Sequence, residues 1–320
     1  MRGQTSDDLL VRSAWMYYHD EMTQEQIAER LGLSRVKVTR LLQQARQAGI
    51  VKITLTRPLP PDFELGRRLE ATFGLAEAVV VPNGADDSRT SDSVGRAAAE
   101  HLMKLAAAGG VIGFGWSSTV SKMAPYLQAP RRAPNGTICD LVGSMVGQTN
   151  PYSISGRVAR ALGIPLKTLP VPVIVNSRAA RDAMLSEPAL NDTLQMARTS
   201  SAAFVGVGEI SEHSTLIEVG YMTVEQMEDL RARGAVGEVL MRFYDIHGEP
   251  LRTHLDERII GLDWDEIAQI PHLVVVASNA QKIAPILGIL RSGLCRALIT
   301  DMQTAASVLD MHDAAHSTLS

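Results

Sequence analysis

The sequence predicts an α/β protein in two parts: an N-terminal helix-turn-helix domain of winged-helix-like form, followed by a doubly wound, mostly parallel α/β domain. Three observations predict it. Residues 8–48 carry apolar side chains at helical spacing, interrupted by a glycine turn. Beyond residue 62, short apolar runs alternate with helical stretches, the pattern of a parallel sheet covered on both faces. Between them lies Thr56-Arg57-Pro58-Leu59-Pro60-Pro61-Asp62, a stiff proline-rich connection. The expected boundaries are 1–57 for the first domain, 58–62 for the linker and 63–320 for the second domain.

In the N-terminal part, residues 8–20 place Leu9, Ala14, Trp15 and Tyr18 near one helical face. Thr23 and Gln26 form a T-x-x-Q capping box that opens a second helix, with Ile27, Ala28 and Leu31 inward. Gly32 suits the left-handed position that ends it, and Ser34 is the next N-cap. A third helix runs from Arg35 to about Ala48, with Val38, Leu41 and Leu42 inward. Small Ala28 permits close helix approach, Gly32 makes the turn, and Val38 locks the second helix of the pair onto the first. Ile50–Leu55 then reads as a strand, a short wing.

The chain has 320 residues and a net charge of −4, unevenly placed. Residues 1–57 hold nine basic and six acidic side chains, a net of +3, so the remainder carries −7. From Ser34 to Lys52 there are five basic residues and no acid. A helix pair of this spacing can lay its second helix in the major groove of DNA. Arg35, Val36, Lys37, Thr39 and Arg40 face outward near its start; Arg35 and Arg40 can read guanine edges, and Lys37, Thr39 and Gln43 can meet phosphates or bases. Thr23, Gln24 and Ser34 at the helix starts complete the expected DNA-contacting set. The competing reading is a helical hairpin used only for dimerisation, which has no need of an acid-free basic helix.

Strands are expected at 78–81, 111–114, 137–141, 166–169, 202–207, 240–243, 273–277 and 296–300. Helices are expected at about 63–73, 91–107, 117–127, 151–162, 179–198, 223–232, 263–269, 279–291 and 303–311. Ligands of such sheets sit in loops at the strands' carboxyl ends. Gly113-Phe114-Gly115-Trp116-Ser117-Ser118-Thr119 offers backbone approach, helix-start donors and hydroxyls to an anion such as a sugar phosphate, or else is a plain N-cap. It lacks the G-K-[ST] ending of a phosphate-binding P-loop. In Gly143–Asn150, which includes Ser144, Gln148 and Asn150 can bond sugar hydroxyls, unless Asn150 only starts the turn before Pro151. Gly206-Val207-Gly208-Glu209 is the next loop; in Asp245-Ile246-His247-Gly248, Asp245 can accept from hydroxyls. Lys282, in a first helical turn, either answers a bound anion or is simply solvated.

Other chemistry is excluded or thin. Cys139 and Cys295 lack paired spacing and read as buried free thiols in a reducing cytoplasm. The eight histidines form no metal spacing, no G-x-S-x-G elbow occurs, and no cofactor is called for. Met1–Leu10 lacks a signal peptide's apolar core, and no apolar run is long enough for a membrane span.

Taken together, these residues resemble the SorC family of bacterial sugar-binding transcriptional regulators, over roughly residues 8–312. The most specific parts are Ala14-Trp15-Met16-Tyr17-Tyr18 with Met22-Thr23-Gln24-Glu25-Gln26-Ile27-Ala28, then Leu31–Leu42, Gly113–Thr119, Gly234-Ala235-Val236-Gly237-Glu238 with Arg242-Phe243-Tyr244-Asp245, and Leu298-Ile299-Thr300-Asp301. The resemblance implies a body related to sugar-phosphate isomerases and glucosamine-phosphate deaminases, kept as a sensor of a sugar, polyol or sugar phosphate. It also implies a homotetramer, a dimer of dimers, on operator DNA of a carbohydrate catabolic operon. By position, Trp116–Thr119, Gly143, Ser144, Asn150, Asp245 and Lys282 look like the family's effector site. The chain departs from the family at Met302, where an acid usually follows Thr300-Asp301, and at Ser117-Ser118; an unphosphorylated polyol stays open as effector. The alternative function is a sugar-phosphate isomerase-like enzyme with a regulatory N-terminal domain, for which only Asp245 and His247 offer a base.

Overall fold

A computed structural model describes the backbone of residues 6–51, 59–145 and 150–317. The chain divides into two compact units, Met1–Leu59 and Pro60–Ser320.

The first unit contains helices α1 (Ser6–Tyr18), α2 (Gln24–Leu31) and α3 (Arg35–Gln47). The start of α2 is the expected capping box: Gln26 N–H donates to Thr23 Oγ1 at 3.3 Å and Thr23 N–H to Gln26 Oε1 at 2.9 Å. Gly32 ends α2 at φ 67°, where a side chain is costly, and Ser34 Oγ accepts from Lys37 N–H at 3.3 Å. Two small apolar clusters hold the helices together: Leu10, Ala14, Leu41 and Ala45, and Ile27, Ala28, Val38 and Leu42. The face that groups Leu9, Ala14, Trp15 and Tyr18 is not buried as a unit. The buried face of α1 is Leu10, Ser13 and Ala14, whereas Trp15 is 57% exposed and stacks on His19 with ring centroids 4.1 Å apart. Tyr18 is also exposed. Of the expected wing, only Ile50 and Val51 are described, and neither is in a strand; residues 52–55 lie outside the described residues. Removing the Ser34 cap is expected to cost about 1 kcal/mol, so Ser34→Ala lowers amide hydrogen-exchange protection in α3 about fivefold.

The second unit opens with α4 (Pro61–Phe73), β1 (Glu77–Val81), α5 (Asp87–Ala106) and β2 (Gly110–Phe114). The single-turn α6 (Ser118–Ser121), β3 (Gly136–Asp140), α7 (Ser155–Leu162) and β4 (Leu166–Lys167) follow. Next come α8 (Arg178–Leu185), α9 (Pro188–Arg198), β5 (Ala202–Val205), β6 (Gly208–Glu209), α10 (Thr215–Glu218) and α11 (Val224–Ala232). The chain continues with β7 (Ala235–Val239), β8 (Arg242–Asp245), β9 (Pro250–Leu251), α12 (Trp264–Ala268), β10 (Leu273–Val276), α13 (Ile283–Arg291), β11 (Cys295–Asp301) and α14 (Met302–Ser317). Among the described residues, seven strands pair in parallel in the order β1-β11-β10-β5-β2-β3-β4. Strand alternation feeds two cores: Phe204, Phe114, Ile138 and Val274 face one way, and Ala203, Val205, Val275 and Leu298 the other.

Three sequence expectations change here. The helix expected over 179–198 is two, parted before Pro188, because the residue ahead of a proline avoids helical geometry. The stretch expected as helix over 117–127 is α6 plus a short 3-10 turn at Ala124–Tyr126, with Pro125 ending continuation. The strand expected at 240–243 is instead a turn and the start of β8, within an antiparallel sheet ordered β6-β7-β8-β9 that the sequence did not reveal.

Cys139 and Cys295 are buried and unpaired, and burial pushes both thiols up to about 12. Both are therefore neutral at pH 8, and a thiolate is the reactive form. An aromatic disulfide reagent is expected to label neither at pH 8 in the folded protein and both after denaturation; rapid labelling of the native chain would contradict the burial.

Candidate functional site

The polar strand ends converge at one place. The chain moves outward from β2 through β3 to β4, then returns to insert β5 beside β2 and proceeds through β10 to β11, which pairs with the first strand, β1, at the other edge. The strand order thus reverses between β2 and β5, and a crevice at the carboxyl ends of such a pair is where open parallel sheets bind ligands. A cavity of about 60 Å³ lies there. Gly115, Trp116, Ser117 and Ser118 line it after β2, Gly206 and Glu209 after β5, and Lys282 after β10.

Each lining group has a local reason for its pose. Trp116 Nε1–H donates to the Gly143 carbonyl at 3.1 Å, and the indole lies tilted beside Tyr221. Ser117 caps α6, its Oγ accepting from Val120 N–H. Gly206 has no side chain because Ser117 Oγ occupies the space a Cβ would need. Lys282 ends a 3-10 turn rather than sitting inside a helix, and its Nζ is 3.3 Å from Glu209 Oε2. That ion pair is largely shielded, with side chains 21% and 15% exposed. Behind Lys282, Asn279 takes φ 88° and donates its N–H to Thr304 Oγ1; Asp301 accepts from Asn83 Nδ2 at 2.8 Å and from Thr304 N–H at 2.9 Å. Asp301 therefore braces the loop that carries Lys282.

The cavity wall opposite is the turn between β7 and β8. Leu240 and Met241 both adopt left-handed backbone, φ 51° and 67°, which non-glycine residues reach only with strain. Their side chains are buried, and Met241 N–H donates to Glu238 Oε2 at 2.8 Å. Glu238 keeps some exposed surface, but its carboxyl is packed among protein atoms; this desolvation raises its pKa, against the Met241 hydrogen bond and Lys282, which lower it. Backbone strain of this kind clusters at ligand clamps and active sites.

Of the site residues expected from sequence, the cavity gathers Gly115, Trp116, Ser117, Ser118, Gly206 and Lys282. Thr119, Gly143, Ser144 and Asn150 do not line it. The Gly143 carbonyl accepts from Trp116 Nε1–H while its N–H donates to Ile260 O at 2.8 Å, and Ser144 O accepts from Tyr221 Oη–H at 3.2 Å. Asn150 Oδ1 accepts from Tyr152 N–H at 3.0 Å, the turn-starting role. Gln148 lies outside the described residues. Asp245 is displaced outright: its Oδ1 accepts from His247 N–H at 2.8 Å and Glu249 N–H at 2.9 Å, closing the β8–β9 turn away from the cavity. Sequence reasoning missed Glu209 and Glu238 as site residues. Glu209 stood in a loop already singled out; Glu238 stood in a quoted motif but not among the candidate ligand groups, because its strand, β7, was not expected.

In the first unit, Arg35, Val36, Lys37, Thr39, Arg40 and Gln43 are exposed on α3, with Val36 at 64%. Thr39 Oγ1–H donates to Gln24 Oε1 at 2.8 Å, which fixes the side of α3 next to α2. Among the described residues, no helix is long and apolar enough to cross a membrane, and no cluster of histidine, cysteine or acidic residues is placed to hold a metal.

Residues 58–310 match the family model described as "Putative sugar-binding domain", and residues 9–58 match the Crp-like helix-turn-helix domain. The chain is 29% identical to the erythritol catabolism regulatory protein EryD of Brucella abortus over 312 residues, 96% of this chain and 98% of that one. It is 29% identical to the transcriptional regulator LsrR of Escherichia coli K12 over 318 residues, 96% of each. The full-length sorbitol operon regulator SorC of Klebsiella pneumoniae superimposes with a TM-score of 0.74 at 26% identity, covering 96% of this chain and 100% of that one. These relatives, matched along nearly their whole length, are regulators. The chain therefore belongs to the SorC family: it is an effector-responsive, DNA-binding transcriptional regulator with a Crp-like helix-turn-helix and a domain that matches the sugar-binding family model, not an enzyme.

Proposed function

We propose that α3 enters the major groove of an operator, and that a polyol, sugar or sugar phosphate in the cavity between the β2 and β5 ends sets how tightly it does so. The observation that carries this reading is the joint presence, in one chain, of an exposed acid-free basic helix behind a capped turn and a polar cavity at the sheet's switch point. Arg35 and Arg40 read base edges, Val36 supplies an apolar contact of the kind thymine methyl groups receive, and Lys37 and Gln43 meet the backbone. Thr23, Gln24 and Ser34 shape and flank that surface through their caps and the Gln24–Thr39 bond. The names of EryD and SorC point to an operon of polyol or sugar breakdown. One such module makes few base contacts, so the working form is a symmetric oligomer, a dimer of dimers, on paired half-sites.

The effector acts by binding one conformation of the protein better than another, and DNA must share or oppose that preference. The test is fluorescence anisotropy of the full chain on labelled DNA from upstream of its own gene, titrated with and without a polyol and sugar panel. Saturable, salt-sensitive binding whose Kd shifts with one compound supports the reading. Binding no tighter than to unrelated DNA refutes it.

A further inference from the structure

The charge balance of the cavity separates the ligand classes that the proposed function leaves together, an inference that rests on the cavity being the effector site. Among the described lining residues Lys282 is the one cation, and no arginine is present. Lys282 is already paired to Glu209 at 3.3 Å, and Glu238 also lines the cavity. Two carboxyl groups against one amine leave no positive charge to spare.

The other features that recommend a phosphate also fall away. α6 is one turn long, and its start is capped internally by Ser117. Dipole and free N–H groups together make a helix start an anion site, and here both are small. The cavity is small, about 60 Å³, which favours a compact ligand. What remains is hydroxyl chemistry. Ser118, Ser214 and Thr215 line the cavity with groups that both donate and accept, and Trp116 adds an aromatic face. A carboxylate beside an ammonium presents an acceptor and a donor side by side, the complement of two adjacent hydroxyls.

We propose that the cavity selects an uncharged, compact polyhydroxylated ligand, with Glu209 and Lys282 bonding one pair of neighbouring hydroxyls, and that it rejects the phosphorylated form of the same compound. The carboxylates do the rejecting, because a like charge brought into a shielded site costs affinity.

The test is calorimetric titration of the full chain with matched pairs: erythritol, ribitol, xylitol and sorbitol, each against its terminal phosphate, with inorganic phosphate as a control. At least one free polyol is expected to bind more than about tenfold tighter than its phosphate, with no heat from inorganic phosphate. Glu209→Gln, which frees Lys282, is expected to narrow that ratio by raising phosphate affinity; circular dichroism checks that the variant folds. Preference for the phosphate in the wild-type chain overturns the proposal while leaving the sensor function intact. Binding of neither member of any pair overturns the proposal and, with it, the assignment of this cavity as the effector site. An unchanged ratio in a folded Glu209→Gln protein overturns the role given to Glu209.

Discussion

Arg35→Ala and Arg40→Ala are each expected to weaken operator binding about 5- to 150-fold, as the loss of a bidentate base contact costs about 1–3 kcal/mol at 1.4 kcal/mol per tenfold. Both side chains are exposed at the start of α3, whose buried residues are Val38, Leu41, Leu42 and Ala45. Truncating either leaves the packing of the three helices untouched, so stability should move by less than about 0.5 kcal/mol. The two kinds of contact are separable. A base-reading arginine, once removed, relaxes discrimination among operator variants at one base pair. A phosphate contact such as that expected of Lys37 weakens all sequences alike and lowers the salt slope by about 1. Anisotropy titrations on the operator, on single-base variants and at several salt concentrations distinguish them. Operator binding equal to wild type in both arginine variants would mean that α3 does not lie in the groove as proposed.

That this helix could be read from the sequence follows from the range of the forces that shape it. The Thr23–Gln26 box, the φ of Gly32 and the Ser34 cap are decided within four residues of chain. The parallel strands were legible for a related reason: runs such as Leu273–Val276 are apolar on both faces because helices cover both. The misreadings share the opposite property. Leu240 and Met241 look like strand residues, and only the cavity they bury against explains why two apolar side chains occupy a left-handed turn usually made by asparagine and glycine. Lys282 looked like a free cation because Glu209, its partner, is 73 positions earlier and meets it only when β10 pairs with β5. Asp245 looked like a ligand group because a carboxylate after a strand can equally accept from hydroxyls or from its own turn; here Gly248 and Glu249 follow, and the turn takes it. Helical spacing groups Leu9, Ala14, Trp15 and Tyr18 near one face of α1, yet α1 packs through Leu10 and Ala14 and leaves Trp15 and Tyr18 exposed. Spacing finds a face; neighbours decide which face is buried.

Gly206→Val is expected to give a protein that still binds its operator with wild-type affinity but no longer responds to its effector. The reason lies in one close approach. Gly206 follows β5 at the cavity, and the Oγ and Cβ of Ser117 already fill the place of a Cβ there. A valine must push the Ser117 loop outward or fill the cavity itself, and overpacking of this kind costs about 1–3 kcal/mol. The substitution affects ligand affinity directly and the whole α/β unit only modestly, so a thermal scan should show a small loss of melting temperature and no further rise on adding polyol. The effect on regulation follows from linkage. An effector shifts the operator equilibrium by no more than its difference in affinity for the two conformations, and a ligand that no longer binds contributes no difference at all. Operator affinity without ligand, set by α3 and its caps, stays where it was. A Gly206→Val protein that folds and responds to effector at the wild-type concentration would place the ligand somewhere other than between the β2 and β5 ends. A variant that loses operator affinity in the absence of ligand would show instead that the Ser117 loop contributes to the equilibrium between the two conformations, so the two outcomes test separate links in the chain from packing to regulation.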